Sequence, residues 1–242
     1  MALSADGALA GRSAVVTGAS RGIGFAVARR LREAGADVAM VARGAAELGA
    51  AAERVGGFAL VADVADAGTM ERLPDRLESL LGVRAPDILV NAAGAFDLAP
   101  LAATTPACFD AHVDANLRGP FLAIRAFLAV MIARGSGHIA TIGSVAGRRA
   151  FPMNGAYAAT KYGVRGLHEV LDLELKGTGV RSTLIEPAAT DTTLWDAVDR
   201  AIHTDLPPRT AMLDPDAVAD AVLFALTRPA ATAVHTIFLE RA

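Results

Sequence analysis

Lysine is the scarcest charged residue in this chain. Only Lys161 and Lys176 are present, and every other fixed cation is an arginine. Cys108 is the single cysteine, which excludes an intrachain disulfide and a multi-cysteine metal site. A lone thiol fits a reducing compartment and a small buried hydrophobe. The five histidines (His112, His138, His168, His203 and His235) lack metal-ligand spacing, so no metal is expected. The net charge of −3 gives no clustered basic face, and a nucleic-acid partner is not expected. Long apolar runs are missing too. The stretch 121–133 is short and carries Arg125, well below the roughly 20 apolar residues a membrane span needs. The opening MALSADGALAGR has no basic start followed by an apolar stretch, so it does not read as a signal peptide. The expectation is a cytoplasmic protein with no membrane partner. There is no internal repeat and no low-complexity tract.

What is present is a regular alternation. The chain has 242 residues, 53% of them hydrophobic, enough for one large α/β domain with a substantial core. Strands are predicted at 13–17, 37–42, 58–62, 87–90, 138–142, 180–185 and 233–239. Helices are predicted at 22–34, 45–55, 69–81, 106–134, 155–177, 191–202 and 215–226. Several strands are continuous apolar runs, as expected when both faces of a parallel sheet are covered. Right-handed crossovers turn that order into a single-domain Rossmann-type doubly wound parallel sheet, about seven strands with helices on both faces. The domain spans 1–242. Residues 188–214 break the rhythm with an acidic first turn, the only tryptophan (Trp195) and Pro207-Pro208, and read as a lid or as a plain surface helix and loop.

The segment 15–31 runs strand, glycine-rich turn, helix. Gly18 permits a sharp exit from the strand, while Gly22 and Gly24 permit close packing at the helix start. That start presents backbone N–H groups and a positive dipole end to a pyrophosphate. The second strand would carry an acid at its carboxyl end to bond an NAD ribose, but Ala42 and Arg43 stand there. Arg21 and Arg43 can converge on one phosphate, which favours NADP(H) over NAD(H).

Tyr157 and Lys161 stand four residues apart, on one face of a predicted helix, with Ser144 upstream at the end of an apolar run. A nearby ammonium favours phenolate over phenol and lowers a tyrosine from its usual pKa of about 10. By itself the spacing also fits a surface pair.

Over essentially its whole length the chain resembles the short-chain dehydrogenase/reductase family. TGASRGIG (17–24), with Gly18, Ser20, Arg21, Gly22, Ile23 and Gly24, resembles that family's cofactor loop. Asp63-Val64 resembles its adenine contact and NAAG (91–94) the motif after the fourth strand. Asn116, Ser144, Tyr157 and Lys161 fall where the family carries its catalytic four. The resemblance implies hydride transfer from a nicotinamide with Tyr157 as proton donor and Ser144 on the carbonyl oxygen. It implies Lys161 on the phenol and the ribose hydroxyls, and Asn116 anchoring a water that links Lys161 to solvent. It further implies Asp63 on the adenine, Asn91, Ala92 and Gly94 beside the adenosine ribose, and Pro187 and Thr190 near the nicotinamide.

Three departures stand out. Pro187-Ala188 replaces the usual Pro-Gly, Ala92 replaces the second asparagine of NNAG, and the ending HTIFLERA lacks the Asp-Gly-Gly of many fatty-acid-type reductases. The resemblance therefore implies reduction of a small ketone or aldehyde by NADPH. NADP+-dependent oxidation of a secondary alcohol or 3-hydroxy acid, 3-oxoacyl-carrier-protein reduction and a silent NADPH-binding regulator remain as alternatives. Phe96, Met153, Asn154 and Trp195 are candidate substrate contacts, although Phe96, Met153 and Trp195 fit ordinary core equally well. Arg148 and Arg149 fit an anionic substrate or a carrier phosphopantetheine, or a solvated or interface arginine pair. Family members pair the helices at 106–134 and 155–177 across a two-fold axis, which implies a homodimer or homotetramer.

Overall fold

The computed structural model describes residues 7–196, 198 and 206–242. The first six residues, His203 and much of the outer half of the helix expected at 191–202 lie outside the described residues. Seven strands form one sheet: β1 (Ser13–Thr17), β2 (Asp37–Ala42), β3 (Phe58–Val61), β4 (Ile88–Asn91), β5 (Gly137–Ile142), β6 (Val180–Pro187) and β7 (Thr236–Leu239). Their order is β3-β2-β1-β4-β5-β6-β7, and every pairing is parallel. The order reverses direction between β1 and β4. This switch point is where a doubly wound sheet opens a crevice at its carboxyl edge.

Successive strand residues point to opposite faces, so each apolar strand feeds two cores. Ala14, Val16, Val38 and Met40 pack against α1 (Gly22–Glu33), α2 (Ala45–Val55) and α8 (Pro215–Leu226). Val15, Ala39, Val41 and Leu89 pack on the other side, against α4 (Leu73–Leu81), α6 (Gly119–Arg134) and α7 (Gly155–Glu174). Phe127, Leu31 and Met131 are fully buried.

Two expected helices are broken. The run at 69–81 splits at Arg72 into α3 (Ala67–Glu71), capped by Asp66 on the Thr69 N–H, and α4 with Pro74 in its first turn. The run at 106–134 divides into α5 (Pro106–Val113), a π-helical stretch at Asp114–Arg118, and α6. Read as one continuous helix, Pro106–Arg134 is long and apolar enough to cross a membrane, contrary to the sequence expectation. Here Leu122, Ala123, Ile124, Phe127 and Met131 are consumed by the sheet, so it packs as a core helix. Of the helix expected at 191–202, the described residues form only a short 3-10 turn at Thr193–Trp195.

Candidate active site

The carboxyl ends of the strands open on a cleft of about 1060 Å³. At one end, Gly18 has φ +66°, and a Cβ there would stand 2.6 Å from the Ala93 Cα. A Cβ on Gly24 would meet the Gly18 carbonyl oxygen at 2.3 Å. Only hydrogen fits at either position, which keeps the turn tight against the start of α1. That start has no side-chain cap and no acidic residue in its first turn. Its N–H groups and dipole are available to an anion, an arrangement that fits a dinucleotide pyrophosphate. Thr17 braces the far side, its hydroxyl accepting from the Ala92 and Ala93 N–H groups at 3.2 and 3.3 Å. Ser20, Ile23, Ala92 and Gly94 complete this wall.

Arg21 and Arg43 both line the cleft, mostly exposed. Each has a loose acidic neighbour, Glu47 at 3.8 Å from Arg21 and Asp63 at 3.9 Å from Arg43. In the sequence, this strand end shows two guanidiniums and no carboxylate. Glu47 was missed because its position in the first turn of α2 signals nothing until that turn folds over the cleft. Val64 and Asp63 line the cleft, with one Asp63 oxygen holding the Ala65 N–H at 3.0 Å.

Asn91 corrects an expectation. Its side chain is buried inside the sheet and donates to the Thr141 hydroxyl at 3.2 Å, away from the cleft wall. Pro187 and Thr190 do line the cleft. The Ala188 N–H continues the β6-to-β7 ladder to the Leu239 carbonyl at 2.8 Å. Met153 is the one positive-φ residue other than glycine among the described residues, so Ala188 needs no left-handed backbone and alanine fits there.

At the other end, Ser144 lies just beyond β5, where the chain leaves the sheet in extended conformation. Its hydroxyl oxygen accepts from the Ala146 N–H at 3.1 Å, which leaves the hydroxyl proton free to donate, and the hydroxyl stands close enough to the Tyr157 phenol to raise its acidity. Tyr157 opens α7 and Lys161 follows one turn later, both lining the cleft. A Cβ on Gly147 would stand 2.8 Å from the Lys161 carbonyl oxygen, so this glycine lets the Ser144 loop lie directly on α7.

The ammonium is not on the phenol oxygen. Lys161 Nζ donates to the Ile142 carbonyl at 2.9 Å and stands 5.5 Å from the Tyr157 ring centroid. Burial pushes the phenol's pKa up, and only the neighbouring Ser144 hydroxyl pulls it down. Burial also pulls Lys161 down to about 8. The expected acidifying contact is thus replaced by a carbonyl contact that holds the lysine beside the tyrosine.

The Asn116 side chain is bonded within the protein. Its amide donates to the Ala95 carbonyl (3.0 Å) and the Thr160 hydroxyl (3.1 Å), and its oxygen accepts from the Ala95 N–H (2.8 Å). Both amide protons are spent on clamping the loop after β4 to α7. The side chain has no donor left for a water leading to Lys161. The π-helical stretch turns this residue inward, which a helical periodicity reading could not anticipate.

Phe96, Asn154 and Trp195 line the cleft beside Tyr157. The Phe96 ring sits edge-on to Tyr157 at 4.9 Å and tilted against Trp195 at 4.7 Å, and the Trp195 indole donates to the Thr190 carbonyl at 3.0 Å. Met153 stays out of the cleft wall. Its backbone is left-handed (φ +63°), and its carbonyl accepts from the Ala99 N–H at 2.9 Å. His112 was not predicted here at all. Its Nε2 accepts from the Asp97 N–H at 3.1 Å, so Nδ1 carries the proton it gives to the Cys108 carbonyl at 2.8 Å. Its ring lies 6.3 Å from that of Tyr157, and it fixes the loop that carries Phe96.

The model of the short chain dehydrogenase family matches residues 12–202. A glycine betaine reductase of Emericella nidulans is 36% identical over 97% of this chain, which spans only 19% of that relative's length. An uncharacterized oxidoreductase of Staphylococcus epidermidis is 32% identical, covering 94% of this chain and 96% of that one. A metagenomic short-chain oxidoreductase, solved in complex with NADP, superposes with a TM-score of 0.81 at 32% identity, over 97% of this chain and 99% of that one. This protein belongs to the short-chain dehydrogenase family of oxidoreductases acting on CH–OH and C=O groups.

Proposed function

We propose that this chain reduces a ketone or aldehyde to an alcohol with NADPH. The observation that carries the reading is the Ser144 hydroxyl, the Tyr157 phenol and a buried Lys161 gathered in the same cleft as an uncapped helix start. The cofactor is NADP(H): Arg21 and Arg43 both line the cleft and could grip a 2′-phosphate, and the solved relative carries NADP. When bound, the cofactor supplies the hydride.

The protein's own residues handle the oxygen. Ser144 donates its free proton to the carbonyl oxygen as negative charge develops there. Tyr157 then protonates the alkoxide, and the adjacent ammonium of Lys161 offsets the charge left on the phenolate. Asn116 serves as a positioning residue, holding α7 against the loop after β4. The segment 188–214 acts as the lid, with Trp195 seated on Phe96 as its contact with the rest of the wall. The exposed apolar residues of α6 and α7 pair with a second copy.

The test is NADPH oxidation against a panel of ketones, aldehydes and 3-oxoesters. We expect turnover with NADPH at least about tenfold faster than with NADH, one bidentate phosphate contact sufficing for that ratio. We also expect Tyr157→Phe to abolish turnover while leaving NADPH affinity within about twofold, because the phenol acts in the reaction rather than in binding. A variant keeping a tenth or more of the wild-type rate would remove Tyr157 from the role.

A further inference from the structure

Two arginines follow the Ser144 loop, and their environments are opposite. Arg148 Nε donates to the Glu186 carboxylate, which is almost completely buried (1% exposed) near the end of β6. That pair fastens the loop to the strand and neutralises the Arg148 charge. Arg149 instead lines the cleft, with its guanidinium carbon 4.8 Å above the ring centroid of Phe151, another wall residue. Among the described residues it has no carboxylate and no carbonyl partner.

The other cleft arginines are engaged. Arg21 and Arg43 stand near Glu47 and Asp63 beside the glycine turn, and Arg241 bonds the Thr210 and Met212 carbonyls. Beyond β7, Glu240 also lines the cleft. Over the whole lining, with Lys161 and Asp114 added to these arginines and carboxylates, five cations face four carboxylates, which leaves the cleft with one net positive charge. Stacking on Phe151 restrains the Arg149 plane while leaving its edge N–H groups open, the geometry for a two-point grip on an oxyanion.

We propose that Arg149 is a specificity-determining residue that anchors an anionic group, carboxylate or phosphate, on the carbonyl substrate. This rests on the reductase reading above and names the substrate class for it. An anchor of this kind binds the part of the substrate that does not react, so its removal weakens binding more than turnover.

The experiment measures kcat and KM with NADPH for oxoacids of graded chain length paired with their methyl esters, and for phosphorylated ketones paired with the parent ketones. Wild type is expected to favour one anionic set over its neutral partners by about 10- to 100-fold, the range of a charged hydrogen-bonded contact. Whichever set is favoured identifies the anion. Arg149→Met should remove that preference by raising KM for the anion, with neutral substrates unchanged within about twofold. Arg149→Lys, which keeps the charge, should restore part of it. Equal losses on charged and neutral substrates, no wild-type preference, or a weakened NADPH affinity in Arg149→Met would overturn the assignment and leave the reductase reading standing. No turnover of any panel member by wild type would overturn both.

Discussion

Lys161 is buried and Tyr157 half-buried, and burial moves their acidities apart, the phenol up and the ammonium down to about 8. The lysine shift has a consequence for stability whose sign can be worked out. Between pH 8 and the ordinary lysine value of 10.5, the unfolded chain holds a proton that the folded chain has given up. Stability from this group therefore rises with pH across that window, and below pH 8 the burial penalty is present in full. The whole window is worth about 3 kcal/mol. Denaturant unfolding of the cofactor-free protein at pH 7.5 and 9.5 should show wild type gaining about 2 kcal/mol relative to Lys161→Met. Parallel pH dependences would mean that the lysine is not desolvated as described. Serine, tyrosine and lysine were legible from their positions in the chain. The direction in which the ammonium points was not, because it depends on the Ile142 carbonyl, brought beside it by folding from nineteen residues away.

At the scale of elements, the glycine turn and the first helix are one object. The predicted strand, turn and helix all formed, because a run of apolar residues followed by Gly18, Gly22 and Gly24 is locally self-consistent. Gly24→Ala would push a methyl group to 2.3 Å from a backbone carbonyl that cannot swing aside. We expect it to cost about 1 to 3 kcal/mol and to weaken NADPH binding at least about tenfold. Gly49 provides the control. It lies on α2 with open space around its missing Cβ, so Gly49→Ala should stabilise by about 0.5 to 1 kcal/mol and leave binding alone. Thermal unfolding and NADPH titration of the two variants check both statements. Local patterning was a weaker guide where long-range contacts set the backbone. Asn116 lies within an apolar helical run, yet in the π-helical turn it faces inward and bonds to Ala95 and Thr160. Met153 likewise holds a left-handed backbone where the chain bridges to Ala99, which no propensity for methionine foretells.

For the whole molecule, the two sheet faces are covered by helices, but the outer sides of α6 and α7 are not. Phe121, Tyr162, Val170 and Leu173 are 45 to 61% exposed. A shallow apolar hollow lies between Val113, Leu117, Phe121 and Leu167. Scattered exposed apolar residues are ordinary, whereas a grouping on these two helices fits the proposed pairing with a second copy. Sedimentation at micromolar concentration should find a dimer or tetramer. The double substitution Phe121→Asp with Val170→Asp should shift it toward monomer, since it buries charge without a partner in the interface. A clean wild-type monomer would contradict the expectation.

The alternation of apolar strands and amphipathic helices, the glycine turn and the spacing of Ser144, Tyr157 and Lys161 were determined by the sequence alone. Each is a short-range pattern whose physics acts within a few residues of chain. Tertiary structure decided the rest. It set Asn91 inside the sheet, brought Glu47 and Asp63 beside Arg21 and Arg43, placed His112 behind the loop that carries Phe96, and separated Arg148 from Arg149. These arrangements join residues tens of positions apart or neighbours that diverge. Which polar group finds a partner, and which is left facing the cleft, is settled only when distant strands and loops meet.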